Sequence, residues 1–155
     1  MKRITLLILA MGFIMLTLTS CSADSFLISD EIRAEATLEK IVNAVNNNDA
    51  EALVSLFSNN VLAEKPDLLN SANEFIEFID GEIFAYTDSA DNGVFSSTEF
   101  EYGKRRKEIQ PSFSVETTAG KYHIAILECL IDDFDEANVG VTSIYIINAE
   151  NRHND

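Results

Sequence analysis

The sequence predicts an α+β domain with N-terminal helices packed on a curved antiparallel sheet. Apolar residues recur at helical spacing through the first half, whereas aromatic and β-branched residues cluster into short runs through the second. Turn signals at Asp91-Asn92-Gly93 and Ala119-Gly120 join those runs as hairpins. No internal repeat, low-complexity segment or interdomain linker interrupts the pattern.

The elements follow in order. Leu38, Ile41, Val42 and Val45, with Ala34 one turn earlier and Ser29 or Asp30 as cap, predict a first helix over Glu31 to Asn46. Asn46-Asn47-Asn48 ends it, and Asp49 caps a shorter second helix carrying Leu53, Val54, Leu56 and Phe57. Ser71-Ala72-Asn73-Glu74 has the form of a capping box ahead of Phe75, Ile76, Phe78 and Ile79, and Gly81 is placed to stop this third helix. Strands are expected at Ile83 to Tyr86, Val94 to Tyr102, Phe113 to Thr117, Tyr122 to Ile131 and Val139 to Ile147.

If Ala119-Gly120 is a two-residue loop, Thr118 pairs with Lys121 and Glu116 lies across from His123. One face of the pair then carries Phe113, Val115, Tyr122, Ile124, Ile126 and Glu128, and this apolar face should meet the helices. Tyr122 and Glu128 are therefore candidate ligand contacts. Buried without a partner, the Glu128 carboxyl would have a raised pKa and could serve as a general base; the alternative is a rim carboxylate in water or beside a basic residue. The other face carries Ser112, Ser114, Glu116, His123, Ala125, Leu127, Cys129 and Ile131. Glu116 and His123 there form a surface pair pointing away from the pocket. Leu127, Cys129 and Ile131, with the last strand, leave apolar surface suited to homodimerisation through the outer sheet face.

The amino terminus has a different character. Lys2 and Arg3 precede an apolar run of 15 residues from Ile4 to Leu18, the anatomy of a signal peptide, although its length is also close to the lower limit of about 18 residues for a spanning helix. Leu18-Thr19-Ser20-Cys21 resembles the lipobox of bacterial lipoproteins. That resemblance implies cleavage after residue 20, a lipid on Cys21, a tether over 21–28, a single domain over 29–150 and a polar tail over 151–155. It also implies a cell-membrane location, lipid-anchored on the extracytoplasmic face. Two acyl chains suffice for stable anchoring, each buried methylene contributing about 0.8 kcal/mol.

Charge and cysteine content bound the partners. The 155-residue chain has 26 acidic and 11 basic residues; loss of Lys2 and Arg3 leaves a net charge of about −17. Nucleic acid is excluded as a partner on that balance, and an anionic surface repels the domain as a whole. With Cys21 lipidated, Cys129 is the only remaining thiol, so no internal disulfide is expected. Cys129 sits in an apolar run and reads as a small buried hydrophobe, six residues from His123 on one strand and too far from it for activation.

Lys104-Arg105-Arg106-Lys107 gathers four basic residues. The run could bind phosphate, a carboxylated ligand or lipid headgroups, or could be a solvated strand end that guards an edge. Asp132-Asp133-Phe134-Asp135-Glu136 supplies hard oxygen ligands but lacks the spacing and glycine of a calcium loop, and reads as an acidic turn. Cys129, His123 and His153 do not form a zinc cluster. No nucleophile elbow, phosphate-binding glycine loop or dinucleotide fingerprint is present, so no cofactor is expected.

Order and content together resemble the nuclear transport factor 2-like superfamily, a cystatin-like cone in which helices close a curved sheet. The resemblance rests on the stretch from Ile41 to Ser58, a helix, a break at Asp49 and a helix ending Leu56-Phe57-Ser58, followed by Phe75 to Gly81. Lipobox and domain together look like small Gram-positive lipoproteins carrying a domain of unknown function of the 5104 type. The resemblance implies a pocket between sheet and helices. It leaves open a non-catalytic binding module for a small ligand or envelope protein, an isomerase- or dehydratase-like enzyme using Glu128, and a dimeric envelope protein without ligand.

Overall fold

The computed structural model describes residues 29–88 and 94–149. The signal peptide, Cys21 and its tether, the Asp91-Asn92-Gly93 turn, His153 and the polar tail lie outside the described residues.

Helix α1 spans Asp30–Asn46, with Ser29 in extended backbone and its hydroxyl accepting from the Ile32 N–H. Its buried stripe, Ala34, Thr37, Leu38, Ile41, Ala44 and Val45, follows the 3.6-residue period. Asn48 turns the chain at φ 52°, and the Asp49 carboxylate caps α2 (Ala50–Val54) by accepting from Ala52 N at 2.9 Å. Two features differ from expectation. A short helix α3 (Asn59–Glu64), capped by Ser58, lies where none was predicted. The next helix, α4, begins at Leu68 after Pro66 and runs to Phe78, so Ser71 is already inside it and its N–H donates to Asp67 O. The expected capping box therefore does not open this helix.

Among the described residues four helices pack against a six-stranded antiparallel sheet that does not close on itself. The strands are β1 (Ile83–Asp88), β2 (Phe95–Glu101), β3 (Lys104–Gln110), β4 (Ser112–Thr117), β5 (Lys121–Asp132) and β6 (Gly140–Asn148). A 3-10 turn at Glu136–Asn138 precedes β6. The order is β1-β4-β5-β3-β2, with β6 on the opposite edge of β5. Sequence reading missed β3, whose four basic residues mask its strand character. It pairs with β2 through a turn at Tyr102 and Gly103, both with positive φ.

β3 and β4 are one strand interrupted at the buried Pro111. Their pairing with β5 stays in step across the break, and Ile126 N donates to Pro111 O at 3.0 Å. Proline has no N–H to return, which divides the strand into two arms.

The β4–β5 hairpin corrects the expected register by two residues. Glu116 pairs with Lys121 and Ser114 with His123. The cause is Thr117, whose buried hydroxyl accepts from the Ala119 and Gly120 N–H groups and donates to Asp80 O, lengthening the loop beyond two residues. A two-residue shift preserves strand parity. The inner face is therefore the expected one, with Phe113, Val115, Tyr122, Ile124 and Ile126 buried against α1 and α4. Each such aliphatic side chain contributes about 1.5–3 kcal/mol of burial.

Beyond Glu128 the parity changes. Lys107 pairs with Ile131 and Glu108 with Cys129, which makes Leu130 an extra, bulged residue. Ile131 thus shares its position with Lys107, which reaches helix α1, and does not continue the outer row; Cys129 is only 1 % exposed. The expected outer stripe of Leu127, Cys129 and Ile131 is accordingly broken. Among the described residues no helix is long and apolar enough to cross a membrane.

Candidate functional site

A cavity of about 460 Å³ opens between α2, α3, α4 and β6. Its wall is mainly apolar, built from Leu53, Phe57, Val61, Leu68, Phe75 and Ile144, with Lys65 just after α3, Ser71 on α4, and Thr142, Ser143 and Tyr145 on β6. Phe57 and Ser58 are held against β6 by a parallel bridge: Ser58 N donates to Val141 O at 2.9 Å and Val141 N to Leu56 O at 3.0 Å. That bridge, with the bulge at Thr142, brings Phe57 and the start of β6 into one wall. Thr142 is occupied, its hydroxyl donating to Leu127 O at 3.1 Å. The Ser143 hydroxyl is closed to solvent and has no hydrogen-bond partner among the described residues. Lys65 forms no ion pair among the described residues. The cavity thus combines an apolar wall with one cation, Lys65, at its edge.

Sequence reading did not single out these residues, although a signal was present. Phe57, Val61, Lys65, Leu68, Ala72 and Phe75 follow one another at intervals of three or four, a helical stripe that continues across the Pro66 break.

The two inner-face candidates lie elsewhere. Tyr122 is buried in the core, where its hydroxyl accepts from Asp80 N at 3.0 Å and its ring meets Phe78 edge-on at 6.0 Å. Glu128 faces α1, not the cavity. Thr37 donates to Glu128 Oε2 at 2.9 Å, and Arg33 and Lys40, one turn to either side of Thr37, are close enough to act on its charge. Burial pushes the Glu128 carboxyl above the usual carboxylate range, while the Thr37 hydrogen bond and the two cations oppose that shift. The result is a partly buried carboxylate with both a donor and basic neighbours, between the two alternatives its sequence position allowed.

The basic run is drawn into local pairs. Lys107 Nζ lies 2.6 Å from Asp30 Oδ1, Arg106 is 2.6 Å from Glu108 and 3.8 Å from Asp132, and Lys104 stands over the Phe134 ring at 5.2 Å. Arg105 is tied through its backbone, its N–H donating to Asp133 Oδ2 and its carbonyl accepting from Asp133 N. The acidic run is a built turn. The buried Asp132 carboxylate accepts from Asn138 Nδ2 and from the N–H groups of Phe134 and Asp135. Asn138, the adjacent backbone donors and Arg106 hold Asp132 below the usual carboxylate range. Asn60 of α3 donates to both Asp135 and Asn138, pinning that helix to the turn.

On the outer face, Glu116 pairs with Lys121 and not with His123. His123 Nδ1 and Ser114 Oγ are 3.0 Å apart. The expected Glu116–His123 pair is therefore replaced, a direct result of the two-residue register shift. Cys129 is the small buried thiol its context suggested; burial, with the Asp132 charge, raises its pKa and disfavours the thiolate.

No curated protein sequence matches the chain. A family model described as a domain of unknown function (DUF5104) matches residues 40–149, from the middle of α1 to the end of β6, and the chain belongs to that family.

Proposed function

We propose that this protein is a lipid-anchored module on the extracytoplasmic face of the cell membrane that binds a small amphipathic ligand without transforming it. The observation that carries the ligand is the cavity between α2, α3, α4 and β6, whose volume of about 460 Å³ falls within the usual range for small-molecule sites. Its chemistry suits a molecule with an apolar body and an anionic end near Lys65. The non-catalytic reading follows because Glu128 is not part of the cavity wall. Leu18-Thr19-Ser20-Cys21 supports the anchor and the assignment to small Gram-positive lipoproteins. The break at Pro111 and the helices on one sheet face favour a bent sheet of the nuclear transport factor 2-like kind.

The exported chain carrying Cys21→Ser should enhance anilinonaphthalene sulfonate fluorescence saturably, because that probe pairs an apolar body with an anion. Ser71→Trp, which fills the cavity from its exposed rim, should abolish the signal, and Lys65→Glu should weaken it. Equal binding by all three chains would remove the cavity from consideration. Incorporation of labelled palmitate by the wild type and its loss in Cys21→Ser tests the anchor separately.

A further inference from the structure

The turn between β2 and β3 carries residues that turn chemistry alone does not explain. Tyr102 and Gly103 have φ of 50° and 79°, left-handed positions at which a two-residue hairpin loop normally takes asparagine, aspartate or glycine. Tyr102 is an aromatic, and it is 94 % exposed; Phe100 beside it is 75 % exposed. Arg105 stands across from Phe100 and Lys104 across from Glu101. Phe134, also exposed, lies beneath the Lys104 ammonium and adds a third aromatic to the same end of the sheet.

The position of this end decides what it can meet. Lys107, three residues along β3 from Lys104, reaches Asp30, the first residue of α1. At about 3.3 Å per strand residue, the hairpin tip stands roughly 15–20 Å from the start of α1. Cys21 precedes Ser29 by eight residues, a segment that spans at most about 29 Å when extended. A lipid on Cys21 therefore keeps this end of the domain within reach of the bilayer. The domain as a whole is strongly acidic and is repelled by an anionic leaflet; within the hairpin tip Glu99 and Glu101 are balanced by Lys104 and Arg105, while Arg106 and Lys107 are engaged by Glu108, Asp132 and Asp30 and the adjoining turn adds Asp133, Asp135 and Glu136. Exposed aromatic rings beside lysine and arginine are the side chains that settle at a membrane–water interface.

We infer that the β2–β3 hairpin tip is a second contact with the bilayer, in which Phe100 and Tyr102 enter the headgroup region and Lys104 and Arg105 lie among the phosphates. This rests on the lipid-anchor reading. The acyl chains supply the affinity, and the tip fixes which side of the domain faces the membrane.

The chain contains no tryptophan, so one substitution gives a unique reporter. The lipidated Tyr102→Trp protein, in vesicles of phosphatidylcholine with a minor share of phosphatidylglycerol, should show blue-shifted emission and quenching by brominated acyl chains. Phe100→Trp should repeat the result. Phe84 is 65 % exposed and follows Ile83, which pairs with Thr117 at the end of β4 remote from β3, so Phe84→Trp should show neither effect. Flotation with the vesicles and the mass of the lipidated chain verify the anchor. Emission from position 102 as red and as unquenched as from position 84, on a chain that floats, would overturn the contact alone. A chain without the lipid mass would overturn the anchor and the contact with it.

Discussion

Thr37 of α1 and Glu128 of β5, 91 positions apart, meet across the helix–sheet interface, the threonine hydroxyl donating to Glu128 Oε2 at 2.9 Å. The bond supplies a donor to a carboxylate that burial would otherwise leave unsatisfied. Thr37→Val keeps the shape and removes the donor, and should lower unfolding stability by about 1.5–3 kcal/mol in urea titrations, the range for a hydrogen bond to a charged group. A loss under half a kilocalorie would mean that water replaces the hydroxyl.

Glu128 also has a predictable pH signature. Its carboxyl is raised in the fold, mainly by burial. In the window between its ordinary value near 4.5 and the raised folded value, the native state holds more protons than the unfolded state. The linkage slope is then negative, so this residue's contribution to stability falls as pH rises through that window. Glu128→Gln should gain melting temperature over the wild type near neutral pH, and the advantage should vanish or reverse below the window. Parallel pH profiles for the two proteins would refute the assignment.

Asp132 carries the opposite sign. Asn138, two backbone donors and Arg106 depress its pKa, so its contribution is fully present above the ordinary aspartate value and is lost as pH falls through the folded one. Asp132→Asn should destabilise the chain at neutral pH and matter progressively less in acid. Chemical denaturation at both ends of that range measures the gap directly.

Gly140 has φ 129°, and a Cβ there would stand 3.0 Å from Ser58 N and 3.1 Å from Ser58 Cα. Both obstacles are backbone atoms of the segment that shapes the cavity wall. Gly140→Ala should cost about 1–3 kcal/mol through overpacking alone, with backbone strain added, and should weaken probe binding in the cavity. Thermal melts and the fluorescence titration read the two effects.

Cys129 should resist alkylation in the folded chain and react at the rate of an ordinary thiol in denaturant, because its sulfur is buried and its thiolate disfavoured. Rapid labelling under native conditions would require the strand end around the Leu130 bulge to open.

Much of the architecture was legible because periodicity records burial. Ala34, Leu38 and Ile41 face inward as their spacing requires, and Tyr122, Ile124 and Ile126 do so by strict alternation. The failures have local causes. Four basic residues concealed β3, since pairing with β2 and β5 supplies what composition does not. Thr117 lengthened a loop that Ala119-Gly120 seemed to close, and Leu130 inverted the parity that put Ile131 outside. Glu128 could be placed on the inner face, but its partner on α1 could not, because nothing local links positions 37 and 128. The stripe from Phe57 to Phe75 was legible, but that it walls a cavity was not, because the wall needs the Phe57–Val141 bridge, a contact between segments far apart in sequence.

Pro111 has a last consequence, for the order in which the chain assembles. Because β3 and β4 stay in step against β5 on both sides of it, one hairpin closed by a short loop brings Ile109, Phe113, Val115, Ile124 and Ile126 together. These contacts are close in sequence and cost little loop entropy, whereas Thr37–Glu128 and Phe57–Val141 close long loops. The hairpin should form before the helices dock. Truncating Val115 or Ile124 should therefore slow folding, and truncating Leu38 or Phe57 should mainly speed unfolding.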